Sequence, residues 1–317
     1  MKKTLGCVTA TVALTLAFSV QAQRTFDKDI LTETFGFDEN TKHSVPLDDI
    51  HQGCSDRDCI QSIDNPQFVT AEDADFLTDD DVVLTLSFNG TYRAYPTRIM
   101  DHHEIVNDDV DGTPIAITWC PLCGSGVGVR REVGGTVTEF GVAGVLYNSD
   151  LVLYDRKTNT IWDQIEAKGI VGPMTGVELD LVPIGVARWS KWRTAHPDTE
   201  VLSRDTGLDG DYSTDRYVDY RQHNRIIFPI VNQSDAIHPK TVVFGYLLDD
   251  TYVAYTEKLL EAAGGYKHEF NGRSLQASIA EDGSATLMDL DSGETFTPVR
   301  LFWFAWYTFH PDTELVQ

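Results

Sequence analysis

Short stretches of alternating apolar and polar positions, rich in β-branched residues, recur along the chain. They predict strands over 82–88, 114–118, 127–133, 136–142 and 151–154, because successive side chains of a strand point to opposite faces. Asn89-Gly90, Asp111-Gly112 and Gly134-Gly135 supply turns between them. Helical spacing is confined to short pieces. Thr70 with Asp73 has the pattern of a capping box ahead of a helix over 71–77. Pro96 can open a helix running through His103. Residues 256–263 read as a helix stopped by Gly264-Gly265. Trp189 and Trp192, three apart, share one helix face and read as core, not as a cofactor box. The expected fold class is α+β, strand-rich, with short helices.

The pattern repeats. "RWSKWRTAHPDTEVLS", from Arg188, returns as "LFWFAWYTFHPDTELVQ" at the end of the sequence, with Trp189 and Trp192 matching Trp303 and Trp306. "VVLTLSFNGTYRAYP", from Val82, resembles "VVFGYLLDDTYVAYT", from Val242, and "LVLYDRKTNTIW", from Leu151, loosely echoes "ATLMDLDSGETF", from Ala285. The order is the same in both halves, which predicts two unequal internal copies of a β-rich unit. The first anchors lie 160 residues apart and the last 114, so the second copy is shorter by 46, with the missing length around the cysteine loop. The second half has no cysteine. The expected organisation is a signal peptide over 1–22, an N-terminal extension over 23–61, a first, cysteine-bearing copy over 62–237 and a second, shortened copy over 238–317.

Lys2 and Lys3, an apolar run to about Val20 and the small residues Val20 and Ala22 read as a secretory signal cleaved near Ala22. A spanning helix needs about 20 apolar residues, and Thr9, Thr11, Thr15 and Ser19 interrupt this run. The address implied is periplasmic or secreted, with no membrane span in the mature protein. Acidic residues number 49 against 25 basic, a net charge of −24, which argues against nucleic acid or anionic lipid as partners. From Asp205 to Tyr220 the chain has alternating acidic positions, but Thr214 and Tyr220 stand where a calcium loop needs glycine and glutamate. This stretch reads as a solvated, tyrosine-rich loop.

The mature chain keeps Cys54, Cys59, Cys120 and Cys123. Cys54 and Cys59 suit a local disulfide in an exported protein. "ITWCPLCGSG", from Ile117, sets Cys120 and Cys123 at the spacing of a redox dithiol, half of a metal knuckle, or a stapling bridge. Trp119 ahead of Cys120 resembles thioredoxin-like proteins, where a helix follows and its N-terminus favours the thiolate. Here "GSGVGVRREV" reads as a glycine turn into a strand, so activation falls to Arg130, Arg131 or His103. As a zinc or copper site the pair lacks two ligands. Candidates are His102 or His103, His51, Cys54 and Cys59, with Cys120, Cys123 and His103 the leading set. No Walker loop, dinucleotide fingerprint, HExxH or GxSxG occurs, and "GVAGVL" from Gly141 is too loose for a phosphate loop.

"SIDNPQFVTAEDA", "RAYP", "HEIVND", "PIAITWCPLCGSG", "FGVAGVLYNSDLVLYDRKTNTIWDQ", "VLSRDTG" and "HPKTVVFGY" follow one another in an order that resembles the bacterial family catalogued as domain of unknown function 3179 (DUF3179). The resemblance covers nearly the whole mature chain. It implies a family whose activity is unsettled, some of whose members carry selenocysteine at the position matching Cys120 or Cys123. Selenol outperforms thiol mainly in redox exchange, so the resemblance favours the redox reading. The chain departs from the family pattern at Cys54 and Cys59, where glycines are implied. Carried over residue by residue, "HEIVND" nominates His103 and Glu104 beside the cysteines. Trp119, Arg93, Trp162, Gln164 and Asp155 are nominated as pocket residues, with core or turn roles as the alternatives, notably for Asp155, which Asp289 echoes.

The reading is an exported protein whose CPLC pair works as a thiol-based redox centre, resembling in kind a thiol–disulfide oxidoreductase, with a thiol or disulfide partner and no cofactor. The alternatives are zinc or copper binding through the same sulfurs and a histidine, or an interaction module with structural disulfides only.

Overall fold

The computed structural model describes residues 26–248, 251–263 and 265–317. The signal peptide expected over 1–22 and the turn residue Gly264 lie outside the described residues. The chain is strand-rich, and the described residues hold five α-helices of five to seven residues. None of the described helices is long and apolar enough to cross a membrane.

In chain order, a hairpin of β1 (Val82–Phe88) and β2 (Thr91–Pro96) leads into α1 (Thr97–His103). A meander follows of β3 (Ile105–Val110), β4 (Thr113–Cys120) and β5 (Ser125–Arg130). A second meander has β6 (Phe140–Tyr147), β7 (Asp150–Asp155), β8 (Ile161–Asp163) and β9 (Lys168–Val171). The chain then returns through β10 (Ile184–Arg188), α2 (Trp189–Ala195) and β11 (Glu200–Leu202). A long connection carries α3 (Val218–Gln222) to β12 (Val242–Leu248), β13 (Thr251–Thr256) and α4 (Glu257–Ala263). A third meander, β14 (Tyr266–Phe270), β15 (Arg273–Ile279), β16 (Ala285–Asp289) and β17 (Thr295–Phe296), precedes β18 (Val299–Phe302), α5 (Trp303–Phe309) and β19 (Glu314–Val316).

Two sheets share one pairing scheme. In the first, β10 and β2 flank β1 antiparallel, and β11 joins β2 in parallel. In the second, β18 and β13 flank β12 antiparallel, and β19 joins β13 in parallel. The strand Phe68–Thr70 extends the first sheet by one. The details repeat as well. Trp192 Nε1 donates to Thr199 Oγ1 at 2.9 Å, and Trp306 Nε1 donates to Thr313 Oγ1 at 2.8 Å. Tyr92 stacks on His196 at 4.0 Å between ring centroids, and Tyr252 stacks on His310 at 3.9 Å.

The alternation seen in the sequence underestimates burial. Val83, Leu84, Thr85 and Leu86 of β1 are all buried, because Leu84 and Leu86 enter one core cluster and Val83 another on the opposite face. Other expectations change with tertiary context. Thr70 and Asp73 bond to each other as a capping pair should, yet 71–77 forms turns and no helix. Pro96 ends β2 and caps α1 from outside the helix. Asn89-Gly90, Asp111-Gly112 and Gly134-Gly135 all take positive φ, as turns require. "GVAGVL" lies on β6 at a break in its register with β7, where Gly144 O accepts from the backbones of Gly53 and Cys54. That contact seats the loop closed by the Cys54–Cys59 disulfide.

Candidate active site

The cysteine motif is the turn between β4 and β5, where Cys120 pairs with Ser125. Gly124 has φ +61°, and a Cβ there would lie 2.9 Å from the Phe302 ring, so only glycine fits both demands. Phe302 N donates to Cys123 O at 2.7 Å, tying the turn to β18 of the later sheet. Gln164 braces the turn from behind. Its Nε2 donates to Thr118 Oγ1 at 3.0 Å, and its Oε1 accepts from Ser125 Oγ at 2.7 Å.

Both cysteines are free and buried, Cys120 at 2% exposure and Cys123 at 0%. Cys123 N points at Cys120 Sγ at 3.4 Å, and Cys123 Sγ donates to Ser149 O at 3.4 Å. Ser149 and Asn148 form the two-residue turn between β6 and β7, both with positive φ. Asn148 is held by Val231 N and Thr308 Oγ1, which donate to its Oδ1 at 3.0 and 3.1 Å. The next residue, Asp150, is fully buried beside the sulfurs. Cys120 Sγ, Cys123 Sγ and one carboxylate oxygen of Asp150 lie within 4.8 Å of one another. Asp150 Oδ2 accepts from Ile165 N at 3.2 Å, while Oδ1 has no partner. Ser149 Oγ and Asp163 Oδ2 are likewise buried without partners. Each such group costs about 1–3 kcal/mol and calls for a functional explanation.

Burial, and then the neighbouring Cys120, hold the Asp150 carboxyl well above the ordinary range. Burial, Cys120 and Asp150 together push the Cys123 thiol up. Asp163 is raised by burial and by the charge of Asp150.

Cys120, but not Cys123, lines a cavity of about 340 Å³. Leu122, Val142 and Leu151 give it apolar walls, and Cys54 of the disulfide sits in its lining. Glu104 also lines it. This residue follows α1 in a left-handed conformation, φ 58°, and its carbonyl accepts from Trp119 N at 2.7 Å, next to Cys120. Burial, and then the charges of Asp101 and Asp150, raise its carboxyl to about 8. Asp101, buried and accepting from Trp119 Nε1 at 2.8 Å, is raised to about 6, mainly by burial.

The stretch 205–220 is exposed over most of its length, as a solvated loop is expected to be, and it also contributes the other wall. Tyr212, Tyr217 and Tyr220 are half-buried, and Arg216 and Tyr217 line the cavity. Tyr220 hydroxyl donates to Leu122 O at 3.1 Å, inside the cysteine turn.

Of the residues nominated from sequence, the structure brings Cys120, Cys123 and Glu104 together. His103 has both ring nitrogens engaged elsewhere, Nδ1 with Gln61 O at 2.8 Å and Nε2 with Tyr212 hydroxyl at 2.6 Å. Among the described residues the third donor beside the sulfurs is therefore Asp150, not His103. Arg93 is held by Asp108 and Glu200, and Arg131 by the carbonyls of Asp108, Ile115 and Thr138. Arg130 lies over the Phe88 ring. Trp119 is buried against Asp101, and its ring lines a second cavity, of about 210 Å³, together with Pro121 and Gly124. Trp162 is a core residue donating to Asp155, and Asp155 anchors the turn after β7 by accepting from Lys157 N and Thr158 N. Asp289 anchors the turn after β16 in the same way, through Asp291 N and Ser292 N. Asp150 itself was within reach of sequence reasoning. "YNSD" puts a carboxylate at the mouth of a tight turn, directly before the apolar run "LVLY".

The family model described as protein of unknown function (DUF3179) matches residues 57–294. No curated protein and no solved structure matches the chain.

Proposed function

The chain belongs to the DUF3179 family, and from that premise we propose that it is a thiol-based redox protein whose Cys120 and Cys123 cycle between dithiol and disulfide. The observation that carries this reading is the asymmetry of the pair. Cys120 opens onto a cavity, while Cys123 lies behind it against Ser149 O with Asp150 alongside. Cys120 is therefore the attacking sulfur and Cys123 the resolving one. With a sulfur partner R–S–S–R′, Cys120 Sγ bonds to one sulfur and the other leaves as a thiol. Cys123 Sγ then bonds to Cys120 Sγ and expels the second thiol. Two electrons pass to the partner, and the two cysteine protons end on its sulfurs. Asp150 takes the Cys123 proton in transit. Its carboxyl lies beside both sulfurs and is the group placed to relay that proton. The reverse sequence, with a thiol partner, restores the dithiol.

Titration against a thiol–disulfide buffer, read by alkylation and mass, tests this. A reversible loss of two protons' mass from Cys120 and Cys123 is expected. Cys123→Ser should accumulate a mixed adduct on Cys120, and Cys120→Ser should form none on Cys123. A pair that stays reduced at every buffer ratio, or an adduct carried by Cys123, ends the reading.

One observation favours a second reading. Two thiols and a carboxylate oxygen so close together form a donor set suited to zinc or copper. Stoichiometric metal in protein purified without chelator, lost in Asp150→Asn, would favour it.

We propose further that the two sheets with a common pairing scheme are copies of one unit, the first over 62–237 and the second over 238–317. The shared strand directions, the Trp–Thr bonds and the Tyr–His stacks support this. We place the working protein outside the cytoplasm, in the periplasm or secreted. The signal-like start and the Cys54–Cys59 disulfide support that address.

A further inference from the structure

The redox reading leaves the oxidant open, and the cavity narrows it. Cys120 is 2% exposed and Cys123 0%. With so little of either sulfur at the surface, the way to Cys120 is through the cavity it lines, which admits small molecules more readily than a folded protein's disulfide. The cavity in front of Cys120, about 340 Å³, is at the small end for ligand sites. Leu122, Val142, Leu151 and Phe228 give it apolar walls, and Glu104, Arg216 and Tyr217 give it polar ones. A compact molecule with an apolar body and a polar end fits it.

The second constraint is chemical. A thiolate leaving group departs unaided near neutral pH, because its conjugate acid is a thiol of pKa about 8.5. Hydroxide and alkoxide leave poorly unless a proton arrives with the bond breaking. Glu104 shares the cavity lining with Cys120, fixed there by its left-handed backbone and the bond from Trp119 N to its carbonyl. The groups acting on it are Asp101 and Asp150, which oppose its ionisation, and Arg216, which favours it. The two carboxyls and burial prevail, so Glu104 keeps its proton near neutral pH.

We propose that the oxidant is a small molecule with an apolar body that gives up an oxygen atom, an organic hydroperoxide or a thioether sulfoxide, and that Glu104 is a catalytic residue that gives its proton to an oxygen of that oxidant as the bond to it breaks. This rests on the redox reading of Cys120 and Cys123. With a hydroperoxide ROOH, Cys120 thiolate bonds to the terminal oxygen, the O–O bond breaks, and RO⁻ takes the Glu104 proton to leave as ROH. With a sulfoxide R₂SO, Cys120 thiolate bonds to the oxygen, the S–O bond breaks, the thioether R₂S leaves with that electron pair, and the Glu104 proton ends on the oxygen now held by Cys120. In both cases the proton that Cys120 gave up on becoming a thiolate restores Glu104. Either way Cys120 becomes a sulfenic acid. Cys123 Sγ then bonds to Cys120 Sγ and the hydroxyl departs as water, with the Cys123 proton. The sum is one oxidant and two thiols giving a reduced product, one disulfide and one water.

The test follows oxidation of the reduced full chain by cumene hydroperoxide, methyl p-tolyl sulfoxide and hydroxyethyl disulfide. Wild type should be oxidised faster by at least one oxygen donor than by the disulfide at equal concentration. The hydroperoxide and sulfoxide arms identify which donor the site takes. Glu104→Gln should slow that donor about 100-fold and slow hydroxyethyl disulfide by a far smaller factor. The disulfide arm also shows that the variant is folded. Oxidation by the disulfide alone overturns the proposal and leaves the redox reading standing. Equal slowing of both kinds of oxidant, or of neither, overturns the role of Glu104. A pair that none of the three oxidises overturns the redox reading as well.

Discussion

The two sheets with a common pairing scheme and the meander β6–β9 differ in what they bury unpaired. Each sheet closes one Trp–Thr bond and one Tyr–His stack, yet leaves uncharged groups without partners, Trp189 Nε1 in the first and Trp303 Nε1 and the Tyr246 hydroxyl in the second. In the meander β6–β9 the unpaired groups are Ser149 Oγ, Asp150 Oδ1 and Asp163 Oδ2. A carboxyl oxygen costs more to bury unpaired than an indole N–H when it is ionised. Two carboxyls in this state, one of them beside Cys120 and Cys123, set the meander apart from the two sheets. The later half still takes part, since Cys123 O is bound by Phe302 N and both cysteines share a core cluster with Leu301 and Trp303.

The comparison breaks first if the two scaffolds are not equivalent. Trp192 and Trp306 are 2% and 3% exposed. Trp192→Ala and Trp306→Ala should each cost about 3–5 kcal/mol in urea unfolding. A large loss in one and little in the other would show that the sheets carry different loads despite their common topology.

The contrast between unpaired neutral groups in the sheets and buried carboxyls at the site has a pH signature. Glu104 has its carboxyl raised from 4.5 to about 8 in the folded protein. A raised acid binds its proton more tightly folded than unfolded. Its contribution is fully present below the unfolded pKa and is lost as pH rises through the folded one. Stability should therefore fall between about pH 4.5 and 8, by on the order of 1.4 kcal/mol per pH unit from this group. Asp150 and Asp163, also raised, act with the same sign. Unfolding at pH 5, 6.5 and 8 should show a shallower fall in Glu104→Gln than in wild type. Parallel curves would mean that Glu104 is ionised throughout.

What could be read from sequence follows from how local each signal is. The β1 and β4 strands, the turns at Asn89-Gly90 and Asp111-Gly112, and the helix after Pro96 depend on neighbours a few positions away, and they were legible. The disulfide of Cys54 and Cys59 was legible for the same reason. Residues 71–77 carried the correct capping pair, yet they bury Ala74 and Leu77 from successive turns, so the packing is met without a helix. The site was half legible. Cys120, Cys123 and Glu104 stood out as motif residues, whereas Asp150 reaches the sulfurs only because one meander packs against another. His103 was a reasonable nominee on chemistry, yet Tyr212, 109 residues away along the chain, claims its Nε2. The tyrosines looked like surface until the fold gave them the cysteine turn to cover.

The dependence of the site on the later sheet can be sharpened at Gly124. Gly124→Ala places a methyl in a backbone conformation unfavourable to it and 2.9 Å from the Phe302 ring. A loss of about 1–3 kcal/mol is expected, together with a change in the redox midpoint of Cys120 and Cys123. A loss of stability with an unchanged midpoint would show that docking to β18 supports the fold but not the sulfurs.

The finest version of the comparison uses single hydroxyls. Thr199 Oγ1 accepts from Trp192 Nε1 and Thr313 Oγ1 from Trp306 Nε1, at nearly equal lengths. Valine replaces threonine with little change of volume and leaves a buried indole N–H without its partner. Each of Thr199→Val and Thr313→Val should cost about 1–2 kcal/mol. The two sites sit in separate sheets with no shared partner, so the double variant should lose the sum to within about 0.5 kcal/mol. Equal, additive losses are what two copies of one unit would give, each closed by the same bond. If Thr313→Val were silent while Thr199→Val was costly, the later bond would be a geometric echo without energetic weight, and the kinship of the two sheets would rest on topology alone.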